Sequence, residues 1–180
     1  QQPSNAAAGS SLGPAITVQV QDAIGNPVTT DNTTSITLAI GTNPGGGTLS
    51  GAATITASSG IATFSSVSIN KAGIGYTLTA TGGLLAGAMS STFNVTVGGA
   101  TKLNFGQQPT NAVAGGSISP AVTVQIQDAG GNLVTSDNTT NVTIAIESNP
   151  AGGILSGTAT ATASGGVATF GNLSINRAGI

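Results

Sequence analysis

Apolar and polar residues alternate in short runs along the whole chain, the pattern of strands that bury one face. Ile16, Val18 and Val20 alternate with Thr17, Gln19 and Gln21. The turn-forming residues Asp22-Ala23-Ile24-Gly25-Asn26-Pro27 follow, and then Ile36, Leu38 and Ile40 alternate with Thr37 and Ala39. Past a glycine-rich loop from Gly41 to Gly47, Ala53, Ile55 and Ala57 face away from Thr54 and Thr56. Ala62 and Phe64 share one parity while Val67 and Ile69 take the other, a slip that predicts a β-bulge near Ser65-Ser66. Tyr76, Leu78 and Ala80 predict an inward row with Thr77, Thr79 and Thr81 outward, and Phe93, Val95 and Val97 predict a further strand. No segment shows the helical period of about 3.6 residues.

The pattern then starts again. Residues Gln1 to Ile74 return without a gap as Gln107 to Ile180, an offset of 107 − 1 = 106, with roughly two-thirds of paired positions identical. Val122, Val124 and Ile126 repeat the first row, Val142, Ile144 and Ile146 the second, and Ala168, Phe170, Leu173 and Ile175 the fourth. Inward differences mostly exchange aliphatics, such as Ile16 for Val122 or Val67 for Leu173, as a core of fixed volume requires. A period this long suits one small domain per copy, not a solenoid turn or a propeller blade. The expectation is an all-β protein of tandem immunoglobulin-like β-sandwich domains, about seven strands each. Residues 1–99 form the first repeat and residues 100–180 the second, with Gly98-Gly99-Ala100 as a short flexible step between them.

Counted against each other, the copies differ at their ends. The first has no counterpart of Lys102 to Phe105, and the second none of Gly75 to Val97. Unpaired edges and apolar rows are an aggregation hazard. Two expectations follow: the chain is a window on a longer array, or a neighbouring molecule donates the missing strands. Other copies of the same protein, or adjacent repeats, are the expected partners.

Composition narrows the choice of function. Only 4% of residues are charged and the net charge is -2, so the surface is built from neutral Thr, Ser, Asn, Gln and Gly. Three cations cannot form a phosphate-binding stripe, which excludes nucleic acid. The sequence has no Cys and no His, hence no disulfide, no thiolate or imidazole ligand and no histidine base. No run is long enough for insertion into a membrane as a helix. Tryptic cleavage is limited to Lys71, Lys102 and Arg177, and such a protease-poor surface suits an extracellular or cell-surface location.

The segments Thr17 to Val28 (TVQVQDAIGNPV), Gly60 to Phe64 (GIATF) and Lys71 to Ala80 (KAGIGYTLTA) carry a resemblance. They are similar to bacterial immunoglobulin-like tandem repeats, in particular those of invasin- and intimin-type surface proteins. In that pattern a strand runs into an Asp-x-x-Gly-Asn turn, and a late Gly-x-Ala-Thr strand precedes an Ala-Gly-x-Tyr-x-Leu strand. The resemblance implies an exported spacer or stalk module, strung in long arrays. The near absence of charge departs from the family, and no lectin-like tip is present.

Candidate chemistry is sparse. Asp22 and Asp31 recur as Asp128 and Asp137, beside Asn26, Asn32, Asn132 and Asn138, and are weak candidates for calcium at a domain junction. Against this, Asp and Asn cap their own turns, and five acids are few for an ion that takes six to eight oxygens. The same carboxylates are a formal acid/base pair for glycoside hydrolysis, but catalytic pairs rarely recur in each bead of a string. Lys71 as a base fails because Arg177 replaces it. The threonine rows 77, 79, 81 and 158, 160, 162 suggest an ice or polysaccharide face, or simply a soluble β surface. Glycans are a further candidate partner: sequons stand at Asn32, Asn94, Asn138, Asn141 and Asn172. No catalytic residue, cofactor or metal is assigned. The expected role is a non-catalytic structural stalk, filament or cell-surface array; the alternative is an adhesin or carbohydrate-binding module, weakened by the absence of Trp and by a single, inward-patterned Tyr76.

Overall fold

A computed structural model describes residues 1–179. The described residues form an all-β protein without helices. They divide into two compact units, Gln1–Gly98 with Ala129–Asn132, and Gly99–Asp128 with the residues from Leu133 onward.

The first unit is organised around two antiparallel pairings. Ile16–Gln19 pairs with Ile61–Phe64, placing Ile16 opposite Phe64 and Val18 opposite Ala62. Ser35–Ile40 lies between Thr54–Thr56 and Leu78–Thr81, with Ala88–Met89 beyond, in a four-stranded sheet. Because side chains alternate across a strand, the even-numbered members Ile36, Leu38, Phe64 and Leu78 all enter one apolar cluster. A third sheet joins Ala6–Ala7 in parallel to Phe93–Thr96, which pairs antiparallel with Gly73–Tyr76. It brings Tyr76, Phe93 and Val95 into the same cluster, the Tyr76 and Phe93 rings 6.0 Å apart.

The second unit repeats these registers. Val122–Gln127 pairs with Val167–Phe170, so Val122 faces Phe170 and Val124 faces Ala168. Asn141–Thr143 pairs with Thr160–Thr162 and Leu155–Ser156 with Ser174–Ile175. Its other strand edge carries Lys102–Gln107, antiparallel to Val122–Gln127. A separate apolar cluster centres on Val122, Ala168, Phe170 and Leu173.

Strand boundaries depart from the alternation in two places. The parity slip at Ser65-Ser66 is not a bulge. Ile61–Phe64 ends there, and Ser68–Ile69 begins a new pairing with Leu49–Ser50, so the chain changes partner and both Phe64 and Val67 stay buried. Shifts of register fall instead between Phe93 and Asn94 and between Phe105 and Gln107. Likewise, the row through Tyr76, Leu78 and Ala80 is two strands, Gly73–Tyr76 and Leu78–Thr81, which belong to different sheets. Such exchanges leave the first unit with more and shorter segments than the seven or so expected.

The hairpin after the first row closes as its residues require. Asp22 N–H donates to the Asn26 carbonyl, Val28 N–H donates to the Val20 carbonyl, and Gly25 holds φ at 89°. Gly60 is needed for a different reason: its φ is 76°, and a β-carbon there would collide with the Val28 carbonyl. Gly166 repeats both features against Val134.

Phe64 and Phe170, 0% and 1% exposed, anchor their respective clusters. Phe64→Ala and Phe170→Ala are each expected to cost about 3–5 kcal/mol in the unit that carries the change. Urea denaturation of each variant checks this, a lowered midpoint at unchanged slope being the expected result.

Candidate functional site

The carboxylates singled out by the sequence sit in turns and are engaged there. Asp22 Oδ1 accepts the backbone N–H groups of Ile24 (3.0 Å) and Asn26 (2.8 Å), and Oδ2 accepts the Asn26 amide (3.1 Å). The backbone of Asn26, with its side chain, holds the Asp22 carboxyl below its ordinary range. Asp31 Oδ1 accepts Thr33 and Thr34 N–H, both at 2.9 Å, and Oδ2 accepts the Thr34 hydroxyl at 2.6 Å. The Thr34 hydroxyl first, then the two amides, lower its pKa to about 2. Asp137 repeats this with Thr140 and Thr139, and is lowered in the same way, chiefly by the Thr140 hydroxyl. Asp128 is buried, unlike its exposed counterpart Asp22.

Oxygens used in this way face inward to their own loops. Among the described residues, no three Asp, Glu, His or Cys side chains gather where they could hold a metal ion. The arrangement can stiffen turns: Asp22, Asp31 and Asp137 each satisfy at least three donors that a tight bend would otherwise leave to water.

The asparagines of the sequons do similar work. Asn32 Oδ1 accepts the N–H of Ser59 at 2.8 Å, and Asn138 Oδ1 that of Gly165 at the same distance. Each clamps a loop residue with positive φ, 51° at Ser59 and 57° at Gly165. Asn94 accepts Gly75 N–H, Asn141 the Thr162 hydroxyl, and Asn172 Thr158 N–H. These long-range clamps were not evident from the sequons. The exchange of Ser59 for Gly165 between copies was the available signal, since Gly favours that backbone region. Asn43-Pro44, the expected turn of the first glycine loop, and its copy Asn149-Pro150 are held by reciprocal pairs of bonds from Asn43 to Gly47 and from Asn149 to Gly153.

The two threonine rows separate. Thr77 is 6% exposed and so is not on an outward face. It lies where the chain crosses between sheets, and its hydroxyl accepts the Thr42 N–H at 2.8 Å while its carbonyl accepts that of Gly41. Thr79 is half-buried and Thr81 exposed. The continuous outward row instead runs across strands: Thr81 opposite Thr37, and Thr37 opposite Thr54. The Thr37 and Thr54 hydroxyls are 2.9 Å apart. In the second unit Thr158, Thr160 and Thr162 are all exposed, with Thr160 bonded to Thr143 at 2.9 Å. Lys71 contributes its carbonyl, which accepts the Tyr76 hydroxyl at 2.9 Å, and the Arg177 guanidinium donates to the Ala151 carbonyl.

Comparison with known proteins returns no matching family model, no matching curated protein and no matching solved structure.

For Asp31 the folded pKa lies below the ordinary 3.8, so its contribution to stability is present above that value and is lost as pH falls toward about 2. Asp31→Asn is expected to lower the melting temperature by a few degrees at neutral pH and to flatten its decline on acidification through that window. Melting curves between neutral and strongly acidic pH measure both effects. Millimolar calcium, added to the unaltered chain in the same assay, is expected to leave the melting temperature unchanged.

Proposed function

We propose that this chain is a non-catalytic structural repeat protein: immunoglobulin-like β-sandwich units in series, forming part of an extracellular stalk, filament or cell-surface array. On this reading it resembles in design the tandem repeats of invasin- and intimin-type surface proteins. The observation that carries the proposal is the duplication of registers, Ile16 opposite Phe64 and Val122 opposite Phe170, with the turn aspartates Asp31 and Asp137 bonded alike. Selection for one binding or reaction centre would act on one unit; selection for a repeated mechanical element acts on both. Strand ladders resist extension because many bonds must break together. A surface with 4% charged residues has little like-charge repulsion, so side-by-side or end-to-end association is favourable. The carboxylates are bound to their own turns, which leaves them poorly placed as a general acid and base.

A second reading, an adhesin or carbohydrate-binding module, draws on the exposed Thr81, Thr37 and Thr54 row, three hydroxyl-bearing residues on adjacent strands. It would place a flat repetitive glycan over that face. Specific binding on a glycan array, abolished by Thr37→Val with Thr54→Val, would favour it over the structural role.

Electron microscopy of the native material tests the leading proposal. Stalks or filaments with a regular axial repeat are the expected image; dispersed single particles at native concentration would count against it.

A further inference from the structure

In each unit one sheet ends in a strand with a bare outer side. Thr54–Thr56 closes the four-stranded sheet of the first unit and pairs on one side alone, with Ser35–Ile40. Leu38 N–H donates to the Ala53 carbonyl and Ala57 N–H to the Thr34 carbonyl, so Ala53, Ile55 and Ala57 make the bonds to that neighbour. By alternation the N–H and C=O groups of Thr54 and Thr56 point the other way, where no strand lies among the described residues. The second unit repeats this. Ile144 N–H donates to the Ala159 carbonyl and Ala163 N–H to the Thr140 carbonyl, which leaves Thr160 and Thr162 facing outward.

This edge lies in the middle of the repeat. In the first unit the strands that follow it pair elsewhere, Gly73–Tyr76 with Phe93–Thr96 and Leu78–Thr81 with Ser35–Ile40. In the second unit Lys102–Gln107 pairs with Val122–Gln127. Between them the units display every part of the repeat, and among the described residues none covers the edge. Its flanks are closed. Ser58 and Ser164 N–H donate to the Ile61 and Val167 carbonyls, Ala52 N–H to the Ser66 hydroxyl at 3.4 Å, and Thr158 N–H to Asn172 Oδ1 at 2.8 Å. What stays open is a short window, Thr54 with Thr56 or Thr160 with Thr162. No charged residue and no proline stands between Gly51 and Gly60 or between Gly157 and Gly166, so two common means of blunting an exposed edge are missing.

We propose that this window is a self-association surface: the edge at Thr54–Thr56 pairs antiparallel with the same edge of a second copy of this chain, about a two-fold axis at Ile55. The window is complementary to itself, because in that register Thr54 of one copy faces Thr56 of the other and each open N–H meets an open C=O. The side chains agree with the backbone. On the outer face threonine meets threonine, the pair that the sheet already uses at Thr37 and Thr54, and on the inner face the half-buried Ile55 meets its own copy. With no charge in the window, nothing repels across the axis. Thr160–Thr162 offers the same backbone with Ala161 at the centre, a smaller apolar contact, so the edge of the first unit is the stronger. So short a window binds weakly alone and gains from repetition along a chain of units. In that respect the inference rests on the structural-array reading, and it names the surface through which side-by-side association runs.

Amide hydrogen exchange, read residue by residue by NMR on the unaltered 180-residue chain over a concentration series, tests this beside sedimentation velocity. In dilute solution the Thr54 and Thr56 amides are expected to exchange fast while Ile36 and Ile55 stay protected. As the sedimentation coefficient rises with concentration, exchange at Thr54 and Thr56 is expected to slow by roughly tenfold or more. Thr56→Pro together with Thr162→Pro removes outward N–H groups, spares the bonds of Ile55 and Ala161 to their neighbours, and is expected to weaken self-association by roughly tenfold. The amide readout needs no substitution, so a folding defect in that variant does not decide the matter. A chain that stays monomeric up to its solubility limit, which would leave the edge to a foreign strand, overturns the proposal. So does self-association that leaves the Thr54 and Thr56 amides unprotected. Neither result bears on the axial repeat of the native material, by which the array reading stands or falls separately.

Discussion

The contact on which each unit depends is the antiparallel pairing that sets a β-branched residue against a phenylalanine, Ile16 against Phe64 and Val122 against Phe170. Once that register is fixed, parity decides every neighbour. A slip of one residue would turn Phe64 to water and bring Thr63 into the core, so the alternation of the sequence holds the pairing in place. The hairpin at Asp22 to Asn26, the clamp from Asn32 to Ser59 and the glycine at 60 converge on the same strand ends. Side-chain packing and local turn chemistry thereby specify one register between them, which is the consistency that a unique fold requires.

With so little charge, polar work falls to amides and hydroxyls. Thr37 bonds to Thr54 and Thr143 to Thr160 across strand pairs, and Asn172 to Thr158 between loops. Bonds of this kind contribute little singly, and a face built from neutral groups carries no strong field. Such a face offers repeated, weak, neutral contacts.

Much of the fold was legible because alternation is a direct image of a half-buried strand. Ile36 and Leu38, Ala62 and Phe64, Val122 and Val124 are all buried as their parity implies. What alternation cannot register is a change of partner. At Ser65-Ser66 and at Thr77 the chain leaves one sheet for another, and the inward pattern continues on both sides of the step. Thr77 illustrates why residue type misleads there. Its hydroxyl substitutes for a backbone partner of Thr42, so a residue expected on the surface is held inside. The turn carboxylates were legible in kind, as Asp and Asn beside Gly, since that chemistry is local. The Asn138 clamp on Gly165 was not, because its two ends meet only after the chain has folded.

The aspartate turns also bear on the order in which structure is acquired. Every bond that the carboxylates of Asp22, Asp31 and Asp137 accept here comes from no more than four residues along the chain. Bends fastened at that range close without waiting for distant partners, and closing a short loop costs less entropy than closing a long one. The slow part of the search is then confined to bringing the phenylalanine strands home across the intervening loops. The two units of this chain can each begin that search independently.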